Sequence, residues 1–154
     1  MRSPLFRDRH GLRAPRRGPL YGRRVLAVVA PTECDARGVR ALGRRLRRSG
    51  VRLGVTMECH GEARGENGSA LYPDCLLIEV APERWDAVVF AGGRGAARVA
   101  EDPLARELAR RFAGAGRPIA SLGDGARVLD AARLDGIAAA DPAALARALT
   151  DRLR

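Results

Sequence analysis

From residue 23 onward, short apolar runs alternate with stretches in which apolar positions return every three or four residues. The run 25–30 has strand length and no polar position, as expected of a strand buried on both faces. A turn, Pro31-Thr32-Glu33-Cys34-Asp35, leads into a helix reaching about Ser49, with Val39, Leu42 and Leu46 along one face and Gly50 closing it. Residues 51–57 read as a second strand. After the Gly-rich stretch 60–69, residues 70–72, the Pro73-Asp74 turn and 76–80 read as a hairpin or lid. Residues 85–91 form a third core strand that ends in Gly92-Gly93, with Trp85 packing where it enters the core. Asp102-Pro103 opens a helix carrying Leu104, Leu108 and Phe112. Residues 118–122 are a fourth strand, running through Gly123-Asp124-Gly125 into a helix with Val128, Leu129 and Ala132. Asp141-Pro142 starts a last helix with Leu145, Leu149 and Leu153 on one side. This alternation predicts an α/β fold, a parallel sheet with helices on both faces and ligands held beyond the carboxyl ends of the strands.

Residues 1–22 show neither period. Their Arg, Pro and Gly content predicts an extended N-terminal arm ahead of a domain over 23–154, with Phe6, Leu12, Leu20 and Tyr21 as candidate anchors. A disordered leader is the first reading of the arm, a docking segment the second and an organelle transit peptide the third. The 154 residues leave no room for a second core. No stretch approaches the roughly 20 apolar residues of a membrane span, and the start lacks the apolar core of a secretory signal, so a cytoplasmic protein is expected.

Charge alters this picture in two ways. All 28 basic residues are arginine, and without lysine the chain can be neither a P-loop NTPase nor a pyridoxal or Schiff-base enzyme. The net charge of +10 is also uneven: residues 1–48 hold 14 arginines and three carboxylates, residues 49–154 hold 14 and 15. The basic front includes the first helix, where Arg37, Arg40, Arg44, Arg47 and Arg48 form a polar face. Such a face is ordinarily solvated; no aromatic residue is interleaved along it to stack on bases, which places nucleic-acid binding behind other readings. Cys34, Cys59 and Cys75 are odd in number and unpaired in spacing, so free thiols are expected, and neither a metal nor a cofactor is.

The two glycine-rich strand ends carry the chemistry. Ala91-Gly92-Gly93-Arg94-Gly95 lets backbone approach closely, and Ser121-Leu122-Gly123-Asp124-Gly125 is a strand-to-helix turn of the kind that presents a nucleophile at an elbow. The segment GRPIASLGDGARVLDAARLDG resembles the ThiJ/PfpI superfamily, which places cysteine, histidine and glycine where this chain has Gly123, Asp124 and Gly125. WDAVVFAGGRG resembles that family's strand ending in Pro-Gly-Gly, and ENGSALYPDCLLIEV its hairpin with a Pro-Asp turn. The similarity covers about residues 23–140.

The resemblance implies a flavodoxin-like three-layer sandwich of the glutamine amidotransferase-like class. It also implies enzymes that attack thioesters or hemithioacetals through the elbow cysteine, with a nearby glutamate polarising the thiol. Here Gly123 supplies no nucleophile, Asp124 replaces the histidine, and the acidic position falls on Gly38 or Asp35. The first expectation is therefore a non-catalytic binding or structural subunit. Its elbow would be vestigial, and the backbone amides near Gly93 and Asp124 would survive as a small anion pocket opposed by the charge of Asp124. The second is a thiol-dependent hydrolase or glyoxalase-like enzyme using Cys59 and His60, which repeat the family's Cys-His-Gly order just past the second strand. The third is an Arg-rich nucleic-acid-associated protein. Ser121 is expected to face the core, and Cys34 and Cys75 to act as small apolar fillers. Family members also run some tens of residues past the segment 137–148. This implies a shortened sheet that needs cover from the arm, from helix 142–153 or from another subunit, in a homodimer or a hetero-complex.

Overall fold

The computed structural model describes residues 17–154; Phe6, Leu12 and most of the arm lie outside the described residues. The elements in chain order are β1 (Arg24–Val28), α1 (Ala36–Arg48), β2 (Arg52–Met57), β3 (Ala63–Arg64), β4 (Ala70–Leu71) and β5 (Cys75–Leu76). They continue with β6 (Ala87–Phe90), α2 (Ala96–Glu101), α3 (Pro103–Gly114), β7 (Ile119–Leu122), α4 (Ala126–Ala132), β8 (Ile137–Ala139) and α5 (Pro142–Leu153). Six strands form one parallel sheet in the order β5-β2-β1-β6-β7-β8. Helices α1 and α5 pack on one face, around Val39, Leu42, Leu145 and Leu149, and α2, α3 and α4 on the other, around Phe90, Leu108, Phe112 and Val128. This is the three-layer α/β sandwich expected from the alternation. The central strands β1 and β6 are buried along both faces, which is why they read as unbroken apolar runs.

Three of the five helices begin on an aspartate. Asp35 accepts from the Gly38 amide at 3.0 Å, Asp102 from Leu104 at 2.9 Å and Asp141 from Ala143 at 2.9 Å. Pro103 and Pro142 follow the latter two, where a missing N–H costs nothing.

One expectation is corrected. Residues 76–80 are not an arm of the hairpin: the hairpin is β3 with β4, pairing Ala63 with Leu71, and Cys75–Leu76 joins the main sheet parallel to β2. Asp74 causes the switch. Its carboxylate accepts from the Val55 amide at 2.8 Å, its own amide donates to the Val55 carbonyl at 2.7 Å, and Thr56 Oγ1 donates to the Cys75 carbonyl at 2.9 Å. The chain then turns tightly over Leu77–Glu79. Two further elements, α2 and β8, have no counterpart in the sequence reading because six and three residues are too few to show a period.

The face beside β8 is covered by α5, whose Leu145, Leu149 and Leu153 are buried. The sheet's edges, β5 and β8, are two and three residues long, and such short edge strands offer little template for pairing.

Candidate functional site

Three turns meet at the carboxyl edge of the sheet, after β1, β6 and β7. The Asp35 amide donates to the Gly92 carbonyl at 3.0 Å, and the Gly95 amide to Glu33 at 3.1 Å. The meeting depends on missing side chains. A methyl group at Gly92 would stand 2.7 Å from the Leu122 carbonyl oxygen, and one at Gly93, where φ is +96°, would overlap the Glu33 carbonyl. One at Gly125 would overlap the carbonyl oxygen of Phe90, so the turn after β7 lies directly on the end of β6.

Gly123 differs from these neighbours. Its φ is +55°, the left-handed region a nucleophile elbow uses, and nothing lies within 4 Å of where its Cβ would be. The elbow backbone is formed and opens onto space, but it carries no side chain. Asp124 beside it is exposed.

Asp35 stands between the first turn and the elbow strand. A side chain at residue 38 would start inside the Asp35 carboxylate and 3.0 Å from Leu122 Cδ2. Asp35 therefore occupies the space a side chain at residue 38 would need, while capping α1. Carboxylates crowd this edge. Glu33 is exposed and held at φ 53°, and Glu66 accepts from the Arg94 amide at 2.7 Å. Glu58 lies 2.7 Å from Arg98. Glu58 and Glu66 stand out in no sequence motif, because each meets its partner only through the fold.

The thiols lie elsewhere. Cys59 and His60 are exposed in the bend after β2, and the order β2-β1-β6-β7 puts three strand spacings, about 14 Å, between that bend and the elbow. Cys34 is fully buried, and desolvation pushes its thiol up to about 11. Cys75 is partly buried and is also raised, chiefly by burial. Among the described residues no group of three or more His, Cys, Asp and Glu is placed to hold a metal ion, and no helix is long and apolar enough to cross a membrane.

Ser121, two residues before the elbow, is buried with its hydroxyl unpartnered. Ala120 and Leu122 face the α1/α5 side, so Ser121 points with Ile119 to the opposite face, into the core under α2, α3 and α4. Ser121→Ala is therefore expected to be neutral or to stabilise by up to about 1 kcal/mol, because it removes a desolvated hydroxyl that has no bond to lose. Urea unfolding measures this, and a loss above that size would show that the hydroxyl has a partner.

The basic face of α1 divides. Arg37, Arg44 and Arg48 are exposed, as is Arg45, which the helical pattern left out. Arg40 is instead half-buried and donates to the Ala70 carbonyl, tying the hairpin to α1. Of the arm's expected anchors, Leu20 is buried but Tyr21 stands 54% exposed. Trp85 packs on Gly54 at the foot of the sheet, with the Arg24 guanidinium 4.5 Å over its ring.

Comparison with known proteins agrees with this architecture. Over 85 residues the chain is 33% identical to a deglycase of Pyrococcus abyssi and 32% identical to the deglycase PfpI of Pyrococcus furiosus, in each case 55% of this chain and 51% of the relative. The chain thus spans about half the length of the curated relatives it matches. A ThiJ/PfpI domain protein from Brachyspira murdochii superposes with a TM-score of 0.67 at 25% identity, covering 81% of this chain and 75% of that one. A two-domain protein from Anabaena variabilis with DJ-1/ThiJ/PfpI-like and ferritin-like domains shares the fold, with a TM-score of 0.66 at 18% identity over 73% of this chain and 32% of that one. Residues 23–138, from the first strand through the elbow to the edge strand β8, match the DJ-1/PfpI family, and the chain belongs to it.

Proposed function

We propose that this domain works by binding and not by thiol catalysis. The observation that carries the reading is Gly123: the left-handed elbow is intact, the space in front of it is open, and the position has no side-chain atom to attack a carbonyl. None of the three cysteines substitutes for it. Cys34 stays protonated at neutral pH inside the core, Cys75 is held up by burial, and Cys59 is strands away without an elbow or a helix behind it. The carboxylates of Glu33, Asp35, Glu66 and Asp124 at the carboxyl edge of the sheet further oppose an anionic ligand at the amides near Gly93 and Asp124. The Pyrococcus relatives are named deglycases. That activity would require this chain to supply a thiolate from somewhere other than its elbow.

The test combines labelling with turnover. Iodoacetamide at pH 7 should modify one thiol per native chain, Cys59, at the rate of free cysteine, and three after denaturation. Incubation with methylglyoxal or a methylglyoxal-glycated amine should give no turnover above a protein-free blank. Turnover abolished by Cys59→Ser would overturn the proposal in favour of the displaced-thiol enzyme.

A further inference from the structure

The two edges of the sheet differ in their balance of charge. The turns at the carboxyl edge bear Glu33, Asp35, Glu58, Glu62, Glu66 and Asp124 against Arg64, Arg94 and Arg98, two of which pair with Glu62 and Glu58. The amino edge is built where residues 18–23 fold over the end of α1. Leu20 donates to the Ser49 carbonyl at 2.8 Å, Arg52 donates to the Arg23 carbonyl at 3.0 Å, and a methyl group at Gly50 would stand 2.8 Å from the Tyr21 amide. The stretches 17–24 and 45–52 brought together in this way contain seven arginines and no carboxylate. Asp86 reaches the first of these stretches, 3.2 Å from Arg23 and accepting from the Arg24 amide at 2.8 Å. Arg17, Arg45 and Arg48 are exposed, and the ion pairs among the described residues do not involve them. Residues 1–16, which lead into Arg17, add five arginines and one aspartate to the sequence.

An exposed aromatic ring lies within this surface. Tyr21 stands between Arg17 and Arg23 in the chain and beside Gly50, supplying the ring that the α1 face lacks along its own sequence. Guanidinium groups bind phosphate in bidentate fashion, and a phenol ring gives a base a stacking platform. A membrane surface would call for a row of apolar side chains flanking the charge, and this patch presents one tyrosine.

We propose that the amino edge, centred on Arg17, Tyr21, Arg45 and Arg48, is a docking surface for single-stranded nucleic acid. It lies opposite the elbow, so it stands whether or not the elbow is catalytic. About four phosphate contacts give a salt slope near −3, a loss of roughly fiftyfold between 50 and 200 mM salt.

Fluorescence anisotropy of the full chain with a labelled twenty-nucleotide oligo-dT provides the test. Oligo-dT should bind at 50 mM salt with that slope. Arg45→Gln with Arg48→Gln should weaken binding at least about fivefold and flatten the slope by about 1.4. Tyr21→Ala should weaken oligo-dT binding about tenfold while leaving a blunt duplex of equal length unaffected. Thermal melts confirm that each variant is folded. Absence of binding at 50 mM salt would overturn the proposal. So would equal affinity for heparin, which has charge but no bases, preferential partition onto phosphatidylserine vesicles, or indifference to Tyr21→Ala.

Discussion

Gly125→Ala is expected to lower stability by roughly 3 kcal/mol, whereas Gly123→Ala, two residues away, should cost about 1 kcal/mol. The costs arise differently. At Gly125 the added methyl would overlap the Phe90 carbonyl oxygen, and a carbonyl at the end of a central strand cannot rotate aside. Relief would require the turn after β7 to lift from β6, separating strands paired at Phe90 and Ser121. At Gly123 a methyl meets nothing within 4 Å, so the cost is only that of holding an L-residue at φ +55°. Since domains of this size are stable by about 5–15 kcal/mol, the first substitution removes a substantial fraction and the second does not. Urea midpoints at unchanged m-value would show the difference. Equal losses at the two positions would mean that the close approach of the turns is not what glycine serves there.

A second large effect is expected from rebuilding the elbow. Gly123→Cys should add one native-state label per chain, because the position opens onto space. Adding Asp124→His should raise the labelling rate at pH 7 by about tenfold, since removing a neighbouring negative charge and supplying an imidazole lowers a thiol pKa by about one unit. The double variant should also gain a methylglyoxal turnover that iodoacetamide abolishes, a chemistry the wild-type chain is proposed to lack. A folded Gly123→Cys variant that takes up no second label would show that the elbow is closed. The strain of the cysteine in a left-handed conformation, about 1–2 kcal/mol, is small enough for the fold to absorb.

Both substitutions bear on how the chain reads before it folds. The buried strands β1, β2, β6 and β7 were legible as apolar runs of strand length, and the helices α1, α3, α4 and α5 by their apolar faces, with the Asp35, Asp102 and Asp141 caps marking three of the helix starts. Helix α2 and strand β8 were not, being shorter than the pattern that would reveal them. The 70–80 region misled for a different reason. A Pro-Asp turn between apolar runs looks like a hairpin, yet Asp74 bonds across to Val55 and redirects the chain into the parallel sheet. Of the candidate site, the glycines of both turns and the absent nucleophile could be read directly. The Asp35 carboxylate filling the space of a residue-38 side chain could not, and neither could the Glu66 carboxylate on the Arg94 amide, since each depends on elements apart in sequence.

Read locally, the chain already contains an α/β alternation, glycines where backbones must meet, an elbow without a thiol and a basic front made only of arginine. Those properties are local, set by side-chain period, by the conformational freedom of glycine and by the identity of single residues. Where the charges and rings stand follows only from the folded packing. Arg40 along the α1 pattern was indistinguishable from Arg44, but the fold turns one to the hairpin and the other to solvent. Tyr21 read as an anchor, and packing of Leu20 under the end of α1 leaves it outside, among arginines from two separate stretches. Burial and charge segregation are sums over contacts between distant segments, so they exist only once the sheet has ordered its strands.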